Sequence, residues 1–391
     1  GIGILAVYGG SLRRSFVIKL FFIAVLIQLA SWGLSHLYHP EWAERSPKLS
    51  RLSPWFMMVP VALFLGGSTK NTLIIWGVAL AGIIFSPWLS GDGWSEIERG
   101  FQGRRVDFNI NNAQHTAMLF GVSFIGLVSL SRRFFAGPVR QNWWKSALWL
   151  FLVIVCLVGV VITQTRAIWL GLLATSTICL LLGAIWLILS KNTLLKNWRM
   201  WLVATFILLG GIGLSMTFKG VVENRISVQT WTITQLIEGR EDFNALDSVG
   251  LRVATWIEAV EWIEERPFFG WGGKGRKLVI EHTDRLPESV KKRFGHLHNS
   301  YLDTLVNYGF AGFMLLLSLL GFLVFAARYA WKKQVLPTDM LLFFASLLVF
   351  WLVINLFESY MFYSSGVFVF GLVAGGILTH YWKAQLANKS A

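Results

Sequence analysis

Long unbroken apolar runs, such as Trp201–Met216 and Phe313–Ala327, constrain this chain more than any other feature. A helix rising 1.5 Å per residue needs about 20 apolar residues to cross a hydrocarbon layer about 30 Å thick. Inside lipid no water can satisfy a backbone N–H or C=O, so such runs must form helices. Candidate spans fall at 16–36, 52–66, 71–90, 113–131, 146–163, 167–189, 200–217, 299–326, 340–357 and 363–382, and the first ten residues read as the stump of another. Position 1 is not Met, so the start is expected to be trimmed and the full protein to hold about 12 transmembrane helices. The expected fold class is therefore an all-α polytopic membrane protein. Charged residues make up only 14% of the 391, against about 25% in soluble domains. No cleavable signal peptide is recognisable, and Cys156 and Cys179 both fall within spans, which excludes a disulfide framework.

The net charge of +14 could suggest nucleic acid, but its placement argues otherwise. When alternate loops are assigned to one side, that side collects 16 Lys and Arg, including Arg132, Arg133, Lys332 and Lys333, against the single acid Asp339. The long segment 218–298 holds 12 basic and 12 acidic residues. Cytoplasmic loops carry the Lys/Arg excess, so segment 218–298 is expected outside the cytoplasm and the C-terminus inside. The basic excess orients helices; no nucleic-acid partner is implied. The chain thus divides into N-terminal transmembrane helices at 1–217, a loop subdomain at 218–298 and C-terminal transmembrane helices at 299–391.

Within the loop, Val253, Trp256, Ile257, Val260 and Ile263 recur at helical spacing, which predicts a helix over 250–265 ended by Arg266-Pro267. With two Trp on it, this helix could lie at the membrane interface. The run Gly270-Trp271-Gly272-Gly273-Lys274-Gly275 follows. It is either a cradle for phosphate, with Lys274 as a substrate contact, or a plain connecting turn; the GxxxxGK[ST] pattern of a P-loop is absent.

The span interiors hold almost no ionisable residues, which argues against a transporter or flippase. Polar residues gather instead at the external ends: His115, Thr163, Thr165, Arg166, His296, His298, Asn299, Asp303 and Glu358. That points to a site at the external membrane surface. Arg166 stands at a tight turn where a helix begins, and its cation adds to the positive end of the helix dipole. An anion site there competes with a plain interfacial Arg. Arg252 opens the loop helix and could equally be a solvated ion pair. His298 is the natural proton-transfer group, unless it merely precedes a cap formed by Asn299 or Ser300. His296 and His298 could bind a metal, but no carboxylate or Cys lies near them in sequence, so neither metal nor cofactor is expected.

Three elements together resemble the O-antigen ligase and polymerase superfamily of bacterial membrane glycosyltransferases. They are Arg166-x3-Leu170, the run Arg252…Trp256…Pro267…Gly270, and His298-Asn299-x9-Gly309-x2-Gly312. The resemblance spans residues 146–326 at motif level, with Thr165 standing where many relatives carry Ser. It implies a GT-C-like fold at the periplasmic face of the inner membrane, and an undecaprenyl diphosphate-linked glycan as donor. A lipid A-core sugar hydroxyl would be the acceptor, membrane lipid the surroundings, and transfer would be inverting and metal-independent. His298 would act as base, with Arg166 and Arg252 clamping the diphosphate and His296, Asn299, His115 and Lys274 as further substrate contacts. O-antigen polymerase and protein O-oligosaccharyltransferase are alternatives in the same superfamily.

Overall fold

The computed structural model describes residues 10, 15–136, 139–189 and 248–388. The expected span 200–217, the stump at the start and residues 218–247 of the loop lie outside the described residues. Among the described residues the chain is helix and loop, with no strand. The elements that matter are α1 (Phe16–Tyr38), α2 (Met58–Leu65), α3 (Thr69–Leu89), α4 (Trp94–Phe101), α5 (Ala113–Ser129) and α6 (Val139–Ile162). After them come α7 (Arg166–Leu189), α8 (Ser248–Glu265), α9 (Gly275–His282), α10 (Ser300–Lys332), α11 (Thr338–Ile354) and α12 (Ser364–Ala387).

Six of the described helices are long and apolar enough to cross a membrane: α1, α3, α6, α7, α10 and α12. The expected spans 52–66, 113–131 and 340–357 form shorter apolar helices, Ser53–Leu65, Ala113–Ser129 and Thr338–Ile354. These are the features of a multi-pass membrane protein. The helices begin where the apolar runs meet a side chain able to accept a backbone hydrogen bond. Ser68 accepts from Asn71 N–H, Asn112 from Gln114 and His115, and Asn299 from Tyr301 and Leu302. Each cap satisfies amides that the first turn leaves without an intrahelical partner.

Side-chain contacts tie neighbouring helix ends together. At the basic end Arg133 pairs with Asp339, Lys333 donates to Asn388, and Gly67 N–H donates to Thr379. Along the bundle α12 lies against α2 and α11 against α7. Gly375 and Gly171 allow these approaches, since a Cβ on either would fall within 3 Å of Val61 or of Ile354 and Phe350.

One expectation needs correction. The span 299–326 is not one continuous helix, because α10 breaks at Gly309 (φ 59°, ψ −159°). The amides freed beyond the break are taken by the loop: Phe310 N–H donates to Pro267 O at 2.7 Å and Ala311 N–H to Phe268 O at 3.0 Å. In return, Trp271 N–H donates to Val306 O and Gly272 N–H to Asn307 O. Residues 267–272 are therefore strapped along the broken helix by backbone bonds. The expected helix over 250–265 forms as α8 (Ser248–Glu265). It buries Leu251, Ala254, Thr255, Glu258 and Ala259 and leaves Ile257 and Val260 exposed. Arg285 Nη1 lies 3.4 Å from Glu258.

Candidate functional site

At the end opposite the basic loops, five chain segments converge. They are the start of α5, the α6–α7 turn, the start of α8, the residues leading into α10, and the 355–363 connection between α11 and α12. Hydrogen bonds lock them together. Thr165 Oγ1 donates to Ala113 O at 3.2 Å, Tyr360 Oη to Gln114 O at 3.0 Å, and Ser300 N–H to Asn355 O at 2.9 Å. Arg166 opens α7 half-buried, one residue beyond the Thr165 tether, so it stands beside the first turn of α5.

Glu358 is the hub, and its carboxylate is fully buried. It lies 3.1 and 3.2 Å from His298 Nδ1, accepts from Gln114 Nε2 at 2.8 Å, and accepts from Ser359 N–H at 2.9 Å. Burial opposes its charge, but the His298 and Ser359 hydrogen bonds and the two imidazoles prevail and hold it at about 2. Burial, then the neighbouring His298, push His296 down to about 4. His296 Nδ1 faces Ser359 Oγ at 2.9 Å and accepts His298 N–H at 3.2 Å. His298 itself sits at φ 51°, a left-handed conformation that a non-glycine residue holds only when its surroundings enforce it.

Arg252 joins the same connection, its Nη1 donating to Phe357 O at 3.0 Å. Burial draws its guanidinium below the ordinary value, against the pull of the Glu358 charge. Arg252 Nε and His115 Nε2 are both buried with no hydrogen bond among the described residues. Buried polar atoms are rarely left so, and these two sit around Glu358. The other ring nitrogen of His115 is 2.6 Å from Ser365 Oγ, and its ring contacts Tyr360 and Tyr363.

Other expected site residues fall differently. The Asn299 side-chain oxygen caps α10. Lys274 stands where the glycine loop turns into α9; the amides of Trp271 and Gly272 bond α10 rather than standing free. From that loop it is Arg276 that reaches inward, pairing with buried Asp303 at 2.7 Å. Sequence reasoning also passed over segment 91–112. Arg105 Nε there donates to Thr163 O at 3.3 Å, and a polar cleft of about 300 Å³ is lined by Asp92, Glu96, Arg99, Arg104, Arg105 and Asp107.

The expectation that no carboxylate accompanies the two histidines is corrected by the fold. Ligand atoms of His296, His298 and Glu358 lie within 4.8 Å of one another, close enough to converge on a cation. Yet His296 Nδ1 already accepts His298 N–H, and both Glu358 oxygens hold protein donors. A cation would have to displace bonds that the chain makes with itself. The available signal for Glu358 was an acid isolated between two long apolar runs, which is a functional hint in a membrane protein.

Residues 151–317 match the family model described as O-Antigen ligase. This part of the chain is thus similar to the O-antigen ligase family. It contains Arg166, Arg252, His296, His298 and the Gly309 break, whereas Gln114, His115 and Glu358 reach the site from outside it. An uncharacterized protein of Haemophilus influenzae is similar, 29% identical over 177 residues. The match covers 44% of this chain and 42% of that protein, so the chain spans less than half the length of this curated relative.

The buried groups around Glu358 make this cluster acid-sensitive. His296 favours its neutral form when folded, so its contribution to stability is whole above its ordinary 6.5 and falls as pH drops toward 4. The Glu358 contribution persists to lower pH, being lost between 4.5 and 2. The melting temperature is therefore expected to decline from pH 6.5 to 4, and to decline less in His296→Asn. Equal slopes in the two proteins would show that His296 is not the responsible group.

Proposed function

We propose that this protein is an O-antigen ligase. It moves glycan from undecaprenyl diphosphate to a sugar hydroxyl of lipid A-core at the periplasmic face of the inner membrane. The full protein would have about 12 spans in a GT-C-like arrangement, with its C-terminus cytoplasmic. One observation carries the reading: an imidazole and a guanidinium are tied to adjacent residues of a single connection. Arg252 holds Phe357 O, and Glu358 holds His298.

The chemistry needs both groups. A sugar hydroxyl is a poor nucleophile, and a positioned base speeds its attack by about 10²–10⁴-fold. His298 Nε2 takes the hydroxyl proton as the acceptor oxygen bonds to the anomeric carbon. The bond from that carbon to the phosphate oxygen breaks from the opposite side, which inverts the centre. Charge then develops on the departing diphosphate. Arg252 and Arg166 meet it with permanent cations whose planar donor forks match phosphate oxygens. The unsatisfied Arg252 Nε and His115 Nε2 suit an oxygen-rich ligand. The polar cleft beside Thr163 offers carboxylate and guanidinium partners for sugar hydroxyls. His296, Asn299 and Lys274 complete the proposed substrate contacts.

The test is transfer by purified protein from a lipid diphosphate-linked glycan to a lipid A-core acceptor, in excess EDTA. Turnover in EDTA matching that with Mg²⁺ is expected. Complete dependence on added divalent metal would defeat the guanidinium scheme. Product formed only on a second lipid-linked repeat would replace ligation by polymerisation.

A further inference from the structure

We propose that Glu358 is the positioning residue of the transferase site, fixing the tautomer of His298 so that Nε2 alone faces the acceptor, with Gln114 holding the carboxylate in place. This rests on the base role of His298 given above and extends it to a residue outside the matched family domain. The tautomer follows from donor and acceptor counting. An ionised carboxylate can only accept, and both Glu358 oxygens lie within 3.2 Å of His298 Nδ1. Nδ1 must therefore carry the hydrogen, which leaves the Nε2 lone pair on the far side of the ring.

The alternatives to this pairing are taken up elsewhere. His296 Nδ1 is 3.7 Å from Glu358, too long for a hydrogen bond. It is occupied by His298 N–H and Ser359 Oγ. The other holds on the carboxylate, Gln114 Nε2 and Ser359 N–H, are both donors, so they favour its charged form. Gln114 is itself set by the Asn112 cap at the start of α5. The carboxylate thus ties α5, the α11–α12 connection and the residues preceding α10 to one ring.

When His298 accepts the acceptor's proton it becomes an imidazolium next to this fixed negative charge, with no reorganisation required. The surrounding charged and titratable groups are His296, His115, Arg252 with Arg105 behind it, the Arg276–Asp303 pair, Tyr360 and Tyr363. Two of these, Arg252 and Arg276, are cations that would disfavour an imidazolium without Glu358. A carboxylate orienting the hydrogen-bearing nitrogen of a base is the logic of the hydrolase triads, where loss of the charge with retained shape costs about 10⁴-fold.

The experiment compares Glu358→Gln, Glu358→Asp and His298→Ala in the purified full chain by steady-state transfer. Glu358→Gln keeps the size but turns an NH₂ toward donors. Its kcat is expected to fall by about 10²–10⁴-fold with the donor KM changed less than about threefold. Glu358→Asp keeps the charge and should restore part of kcat. A Gln variant with wild-type kcat overturns the proposal. So do Gln and Asp variants whose kcat falls equally while the donor KM rises and the melting temperature drops, since that is a structural role. Should the Gln variant not fold, the Asp variant decides: unchanged kcat despite the lengthened contact overturns the proposal, and lowered kcat at constant KM supports it. His298→Ala separates the two levels. If it keeps turnover, the base reading itself fails; if it is inactive while Glu358→Gln is normal, only the positioning role fails.

Discussion

Replacing His298 by Ala is expected to lower glycan transfer by about 10²–10⁴-fold, the contribution of a positioned general base. Donor binding should persist if, as proposed, Arg252 and Arg166 supply the phosphate contacts. The substitution touches more than the imidazole. His298 has φ 51°, a region in which Ala is less at ease than His or Asn, so some local loosening of the α10 entry accompanies the chemical loss. His298→Asn separates the two effects, since Asn tolerates the left-handed region but cannot serve as a base near neutral pH. Both variants should lose kcat to a similar extent while retaining binding of the lipid diphosphate donor. A variant of either kind with near-normal turnover would move the base elsewhere, with His296 and His115 the next imidazoles at the site.

Gly309→Ala is expected to be strongly destabilising, because both the backbone conformation and the surroundings of Gly309 exclude a side chain. A Cβ there would stand 2.4 Å from Phe268 C and from Pro267 O. These are backbone atoms, and they cannot swing aside as a side-chain tip does. The backbone values of φ 59° and ψ −159° belong to a region essentially reserved for glycine, which costs another residue about 1–3 kcal/mol before any clash. Relief requires residues 267–268 to lift, which breaks the Phe310–Pro267 and Ala311–Phe268 hydrogen bonds and releases the strap. Arg252 stands on the helix leading into that strap, so the cation is displaced from the site as well. A loss of at least about 3 kcal/mol is expected, from strain and overpacking together. The same change at Gly321 on the same helix is the control, because nothing lies within 4 Å of its Cβ position. If Gly309→Ala and Gly321→Ala melt alike, the kink does not hold the loop.

The glycine loop shows how local pattern and fold diverge. Its composition suggested either a phosphate cradle or a turn, and apolar residues run on through Gly309 as though α10 were continuous. Hydrophobic pattern reports which residues can lie in lipid; it does not report where the backbone hydrogen bonds go. Here the loop takes the bonds that the break releases, so a helix interruption and a Gly-rich turn explain each other.

What the sequence alone determined is where helices form among the described residues and where polar side chains collect. Both follow from one local rule: lipid forces the backbone to satisfy itself, so apolar runs become helices and polar side chains collect at their ends. What only the tertiary structure decided is which of those polar residues meet. Glu358 lies 60 residues from His298 and Gln114 lies 244 residues from Glu358, yet each pair is in hydrogen-bond contact. Such pairings depend on how separate helices lie against one another, a property of packed surfaces that leaves no local trace in the order of residues.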